Sequence, residues 1–162
     1  MNGESARVEE LTRQLATHAQ SKQLSSALET FGKIESEGLK PNAYTYAALI
    51  NAYVVSGDLV HAHQTLDRMK VAGFPPNVIV LTTLLKGHCA VGDMPRARTL
   101  LENMASAVPP VHPDTRTLNT FMRGCVRVGD LGSARWAFSM LRTWQLTPSH
   151  TSTLALGRTP AR

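Results

Sequence analysis

Pro41, Pro76, Pro113 and Pro148 stand 35, 37 and 35 residues apart, and other landmarks keep nearly the same step. Gly57-Asp58, Gly92-Asp93 and Gly129-Asp130 follow it, and so do Ala27, Ala62, Ala97 and Ala134. A helical pair of this size cannot bury its apolar face alone and must cover it with the next pair, so a repeat of about 35 residues implies stacked helix pairs. The expected fold is all-α, a right-handed α-solenoid of helix-turn-helix repeats. Function then lies along a repeated surface rather than in a single pocket.

Closing each unit just after its proline gives four: residues 8–42, 43–77, 78–114 and 115–149, after an N-terminal extension of residues 1–7. Residues 150–162 begin a fifth unit, with Leu154-Ala155-Leu156, that is not completed. The third unit carries two extra residues, within Val108-Pro109-Pro110-Val111-His112, a loop where insertion costs little. In the second unit Tyr46, Leu49, Ile50 and Tyr53 recur at helical spacing. Gly57 then suits the left-handed backbone past a helix end, and Asp58 can cap the following helix. Leu59, Ala62, Leu66 and Met69 line that second helix before Gly73 and Pro75-Pro76 stop it. The third unit repeats the pattern with Leu81, Leu84, Leu85, Ala97, Leu101 and Met104, and the fourth with Leu118, Phe121, Met122, Ala134, Phe138 and Leu141. The first is weaker: Leu11 and Leu15 are in place, but Ser21-Lys22 stands where the others have glycine.

Composition narrows the function little. The 162 residues are 43% hydrophobic and 18% charged, and no run approaches 18 apolar residues, so no membrane span is expected. A net charge of +5 suits a polyanionic partner and plain solubility alike. Cys89 and Cys125 lack any CxxC or close Cys/His spacing, so they are expected to be buried, reduced thiols rather than a disulfide or zinc site. Met1 to Arg7 lead into Glu9 and Glu10. That is neither the acid-poor, Arg-rich pattern of a transit peptide nor a secretory signal, so the chain is expected to be cytosolic or an internal piece of a longer protein.

The unit resembles the pentatricopeptide repeat, most clearly in PNAYTYAALINAYVVSGDLVHAHQTLDRMKVAGFPPN and VIVLTTLLKGHCAVGDMPRARTLLENM. Residues 8–149 follow that pattern. The tetratricopeptide alternative expects a Trp/Leu/Gly/Tyr first helix, and the first helices here hold no tryptophan. The resemblance implies single-stranded RNA binding, one base per repeat, in mitochondria or chloroplasts. It also implies that the fifth and last residues of each unit form a base-reading pair. The pairs are Thr12 with Asn42, Ala47 with Asn77, Thr82 with Asp114, and Asn119 with Ser149. By resemblance Thr/Asn reads adenine, Thr/Asp reads guanine, Asn/Ser reads a pyrimidine, and Ala47 leaves its pair unspecific. A carboxylate such as Asp114 can accept from the imino and amino groups of guanine. The second residue of each unit would sandwich the base: Ile79 fits, Tyr44 can stack, and Arg116 and Glu9 depart, Glu9 repelling phosphate. Of the residues expected to face phosphate, Gln20, Val55, Ala90 and Arg127, only Arg127 is basic. Each pair also has a plain structural reading, as side chains at a helix start and a loop end, and for Ala47 with Asn77 that reading is preferred.

No catalytic constellation or cofactor site is expected. Asp58, Asp93 and Asp130 recur one per unit, and stacked helices about 8–10 Å apart cannot bring them to one metal, so they read as helix caps. His61 and His63 point to different sides of a helix. No glycine-rich phosphate loop or deaminase motif occurs, and residues 150–162 leave no room for a nuclease domain. Two readings remain. The first is a sequence-selective RNA-binding adaptor in organellar RNA processing, stability, editing or translation. The second is a helical-repeat scaffold for proteins of an organellar ribosome or RNA-processing complex. Scattering of Lys22, Lys33, Lys86, Arg123 and Arg127 over the convex side would favour the scaffold. The unfinished last helix predicts truncation or end-to-end self-association.

Overall fold

The computed structural model describes residues 2–107 and 110–144. Among them are eight helices and no strand. These are α1 (Asn2–Gln20), α2 (Leu24–Ser36), α3 (Ala43–Val55), α4 (Leu59–Val71), α5 (Val78–Val91), α6 (Met94–Ser106), α7 (Thr115–Val128) and α8 (Leu131–Thr143). They fall into two compact units, divided between Pro76 and Asn77. In the first, α1 packs on α2 and α3, and α3 on α4. In the second, α5 packs on α6 and α7, and α7 on α8. α1 begins at Asn2, ahead of Val8, where the periodicity opens the first repeat.

One turn is built four times. The N–H groups of Gln23, Asp58, Asp93 and Asp130 donate to the carbonyls of His18, Tyr53, His88 and Cys125, each at 2.9 Å. This closure requires a left-handed residue just before the donor. Gly57, Gly92 and Gly129 supply it with φ near +80°, and Lys22 is forced into the same region at φ +58°. The three aspartates each accept a backbone N–H, from His61, Arg96 and Ser133, and so cap α4, α6 and α8. Gln23 makes no side-chain cap; its Oε1 meets His18 Nδ1 instead.

The loops between pairs also share a closure. Leu39 donates to the Ile34 carbonyl, Phe74 to Met69 and Val111 to Met104, each at 3.0 Å. The insertion of the third repeat is therefore absorbed before Val111. Val108 and Pro109 lie outside the described residues, as do Pro148 and Leu154-Ala155-Leu156.

The helical stripes bury as their spacing demands. Leu11, Leu15, Ala27 and Ile34 join Leu49, Ile50, Ala62 and Met69 in the first core. Leu84, Leu85, Ala97, Leu101, Leu118, Phe121, Ala134 and Leu141 fill the second. Tyr53, Leu59 and Phe138 are only half-buried. Phe31, Tyr46 and Phe74 form an aromatic row in the first unit, with centroids 6.3 and 6.1 Å apart. In the second, Phe121 meets Trp136 edge-on at 5.9 Å, and the Arg98 guanidinium lies 4.4 Å from the Trp136 ring centre. Among the described residues no helix is long and apolar enough to cross a membrane.

Candidate nucleic-acid interface

Each of the two units contains a threonine-threonine-cap triad. In the second, Asp114 Oδ1 accepts from the backbone N–H of Thr117 at 2.7 Å and from its hydroxyl at 2.7 Å. The Thr117 oxygen lies 2.7 Å from Thr82 Oγ1. In the first, Asn42 Oδ1 accepts from the Thr45 N–H at 2.9 Å and its hydroxyl at 3.1 Å. Thr45 Oγ1 lies 2.7 Å from Thr12 Oγ1. Asn42 and Asp114 thus cap α3 and α7, as a polar residue at a helix start should. The same bonds tie each cap to the threonine of its own repeat, so two of the four expected pairs are physically joined. Thr45 and Thr117 join them, and both are fully buried.

The other two pairs differ. Asn77 caps α5 through the Val80 N–H. Its expected partner, Ala47, belongs to the first unit and has no polar group. Asn119 sits half-buried on α7, and its expected partner Ser149 lies outside the described residues.

In the second unit the Thr82–Asp114 pair opens onto a cleft of about 360 Å³ between α5 and α7, lined also by Ile79, Lys86, Arg116 and Arg123. A second hollow of about 250 Å³ shares Lys86, Thr120 and Arg123 with it and adds Arg127. Helical spacing explains the alignment: Arg116, Thr120, Arg123 and Arg127 fall on one face of α7, and Ile79, Thr82 and Lys86 on one face of α5. The helices approach closely because Gly124 lacks a side chain. A Cβ there would stand 2.8 Å from the Cβ and Sγ of Cys89. Arg127, the expected phosphate contact, lines the second hollow and donates to the Cys89 carbonyl, which ties α7 to the last turn of α5. Of the expected stacking residues, Ile79 is 69% exposed at the cleft wall and Tyr44 79% exposed on α3. Glu9 is exposed on α1, where Glu10 and Arg13 form an ion pair.

Sequence reasoning missed Thr45 and Thr117, and it named Lys86 and Arg123 only as basic residues, without assigning them to a site. A threonine three residues after an Asn or Asp cap is a usable signal, since its hydroxyl can return to the cap. The basic pair needed the α5–α7 register. Of the five basic residues singled out from the sequence, Lys86, Arg123 and Arg127 gather on the second hollow, Lys33 is on α2, and Lys22 is in the first turn.

The cysteines stand apart from this chemistry. Both are free and buried. Burial is the main cause that pushes the Cys89 thiol up to about 11 and the Cys125 thiol up to about 12, so neither is a thiolate at neutral pH. Among the described residues no cluster of His, Cys, Asp or Glu could hold a metal ion.

Among the described residues, eight paired helices, six of them with capped starts, and repeated turns define an all-α helical-repeat solenoid. The family is set by the match of residues 2–162 to the pentacotripeptide-repeat region of PRORP, and the chain belongs to the pentatricopeptide-repeat family. No curated protein sequence matches it. Its fold is similar to the pentatricopeptide repeat protein PPR10 from maize, with TM-score 0.79 and 23% identity over 90% of this chain and 21% of that one. PPR10 in complex with an 18-nt psaJ RNA element gives TM-score 0.81 at 23% identity, with the same coverages. The PPR domain of Arabidopsis thaliana protein-only RNase P 1 in complex with tRNA gives 0.75 at 18% identity, over 93% of this chain and 78% of that one. The chain spans about a fifth of the length of PPR10.

Proposed function

We propose that this chain binds single-stranded RNA through α1, α3, α5 and α7, one base per repeat, as a sequence-selective adaptor for organellar transcripts. The observation that carries the reading is the α5–α7 cleft. There a base-sized space meets a polar pair, an exposed apolar wall at Ile79, and the cations Lys86, Arg116 and Arg123. A base stacks on the wall, its edge meets Thr82 and Asp114, and its phosphates meet the cations. RNA-bound relatives support the class of ligand: PPR10 with an 18-nt element and a PRORP1 repeat domain with tRNA. The gathering of Lys86, Arg123 and Arg127 favours this over a protein scaffold. The implied order of preference, 5′ to 3′, is adenine, any base, guanine, pyrimidine. Stacking of four bases contributes about 4–12 kcal/mol against an association cost of about 4–15 kcal/mol. Phosphate contacts therefore decide whether binding is measurable, and affinity falls steeply with salt. Fluorescence anisotropy with labelled strands at low salt tests this. Tighter binding of A-N-G-Y than of its scrambled versions is expected. Equal affinity removes the sequence-selective reading, and no binding below millimolar removes the RNA reading.

A further inference from the structure

We infer that Thr117 is a positioning residue for base selection: it fixes the direction of the Thr82 hydroxyl proton and makes the Thr82–Asp114 site a pair of acceptors. The inference rests on the RNA reading and adds a mechanism to it.

Proton counting carries the argument. A threonine hydroxyl has one proton and two lone pairs. Thr117 stands between two oxygens, Thr82 Oγ1 at 2.7 Å and Asp114 Oδ1 at 2.7 Å. Its single proton can go to only one of them. A hydrogen bond to a carboxylate is roughly twice as strong as one between neutral groups, so the proton goes to Asp114. The Thr117 oxygen then accepts, and Thr82 must donate to it. Because Thr117 is fully buried, no bulk water competes for these positions. Thr82 is left presenting lone pairs to the cleft, beside a carboxylate that can only accept. Two acceptors suit an edge with two donors, the N1–H and N2–H of guanine. Adenine offers an acceptor at N1 and meets repulsion there.

The first unit has the same relay with a different end. Thr45 donates to Asn42 Oδ1 and accepts the Asn42 backbone N–H at 3.3 Å, so Thr12 again donates inward. Asn42 Oδ1 is occupied by the cap, which directs its Nδ2 hydrogens to the base. One donor beside one acceptor is the complement of adenine N1 and N6–H. The sequence keeps the hydroxyls together: Thr12 goes with Thr45 and Thr82 with Thr117, while Ala47 is followed by Val80 at the corresponding place.

The test compares Thr117→Val and Thr117→Ser with the native chain, using strands that carry guanine or adenine opposite Thr82–Asp114. Valine keeps the shape and frees the Thr82 proton; serine keeps the relay. The expected result is an about fivefold fall in the guanine-to-adenine affinity ratio for valine, as for one hydrogen bond reversed, and a native ratio for serine. If valine lowers the melting temperature or both affinities while leaving the ratio unchanged, Thr117 is only a cap contact and the inference fails. It also fails if serine loses the ratio as valine does. If the native chain binds neither strand, the RNA reading itself falls. A measurement on the RNA-free native chain stands apart from that reading: a slowly exchanging Thr117 hydroxyl proton is expected by NMR, and rapid exchange with water overturns the relay.

Discussion

The two units share a skeleton and differ in what hangs on it. Both join a threonine on one helix to the cap of another through a buried threonine, at the same oxygen spacing of 2.7 Å. Yet the corresponding faces differ in charge. α5 and α7 present Lys86, Arg116 and Arg123 around their pair. α1 offers Glu9, Glu10 and Arg13, the last two paired with each other, and α3 offers Tyr44 and uncharged neighbours. The cap differs by one group, amide in Asn42 and carboxylate in Asp114. Where the second unit has Gly124 against Cys89, α3 has Ala52 at the corresponding position. Hydrogen-bond geometry can thus be repeated while charge, which sets affinity, is concentrated in one half.

The largest expected effect breaks that asymmetry. Lys86→Ala with Arg123→Ala should weaken RNA binding roughly 100-fold at low salt, as for two charge-assisted contacts. The slope of log affinity against log salt should fall by about 1.4, since each phosphate contact on a single strand contributes about 0.7. Arg13→Ala should leave the slope unchanged. Titrations at several salt concentrations read both.

Next comes the close approach of α5 and α7. Gly124→Ala should destabilise the chain by about 1–3 kcal/mol in urea unfolding, as overpacking does, because the new Cβ meets Cys89 at 2.8 Å. Ala52→Gly, the converse change in the first unit, introduces no clash and should cost less, about 0.5–1 kcal/mol.

The turns give a third comparison. Lys22→Gly with Gln23→Asp gives the first turn the chemistry of the other three. Removing a left-handed lysine and adding a cap should stabilise by about 1–2 kcal/mol. An unchanged urea midpoint would show that the first turn is not strained.

The smallest effect is on acid stability. Hydrogen bonds from the Ser133 side chain and backbone hold the Asp130 carboxyl below the usual carboxylate range, and the His61 backbone N–H does the same for Asp58. A lowered folded value means the stabilisation is present above the ordinary carboxylate pKa and is lost as pH falls through the folded value. Asp130→Asn keeps a good cap, so its melting temperature should match the native one at pH 7 and decline less steeply in acid.

The sequence made most of the architecture legible because spacing and turn chemistry are local properties. The stripes at Leu81, Leu84 and Leu85, the glycine turns and the aspartate caps needed nothing beyond neighbouring residues. The site was half legible. Thr12, Asn42, Thr82 and Asp114 could be named from the resemblance, but the bond joining them runs through Thr45 and Thr117, about 33 and 35 residues from the threonines they meet. Lys86 and Arg123 could not be brought together from the sequence because their meeting depends on how α5 faces α7, a close approach that Gly124 permits without any charge signature. Arg127 was named as an expected phosphate contact, but no spacing announced that it also donates to the Cys89 carbonyl.

The central claim is that one skeleton serves both units and the cap chooses the base. Asp114→Asn gives the second unit the triad of the first, with Thr82, Thr117 and an amide in place of Thr12, Thr45 and Asn42. Competition binding between strands with guanine or adenine at that position should show the native chain preferring guanine and the variant preferring adenine. A variant that keeps the native preference, or a native chain that treats the two strands alike, would contradict it.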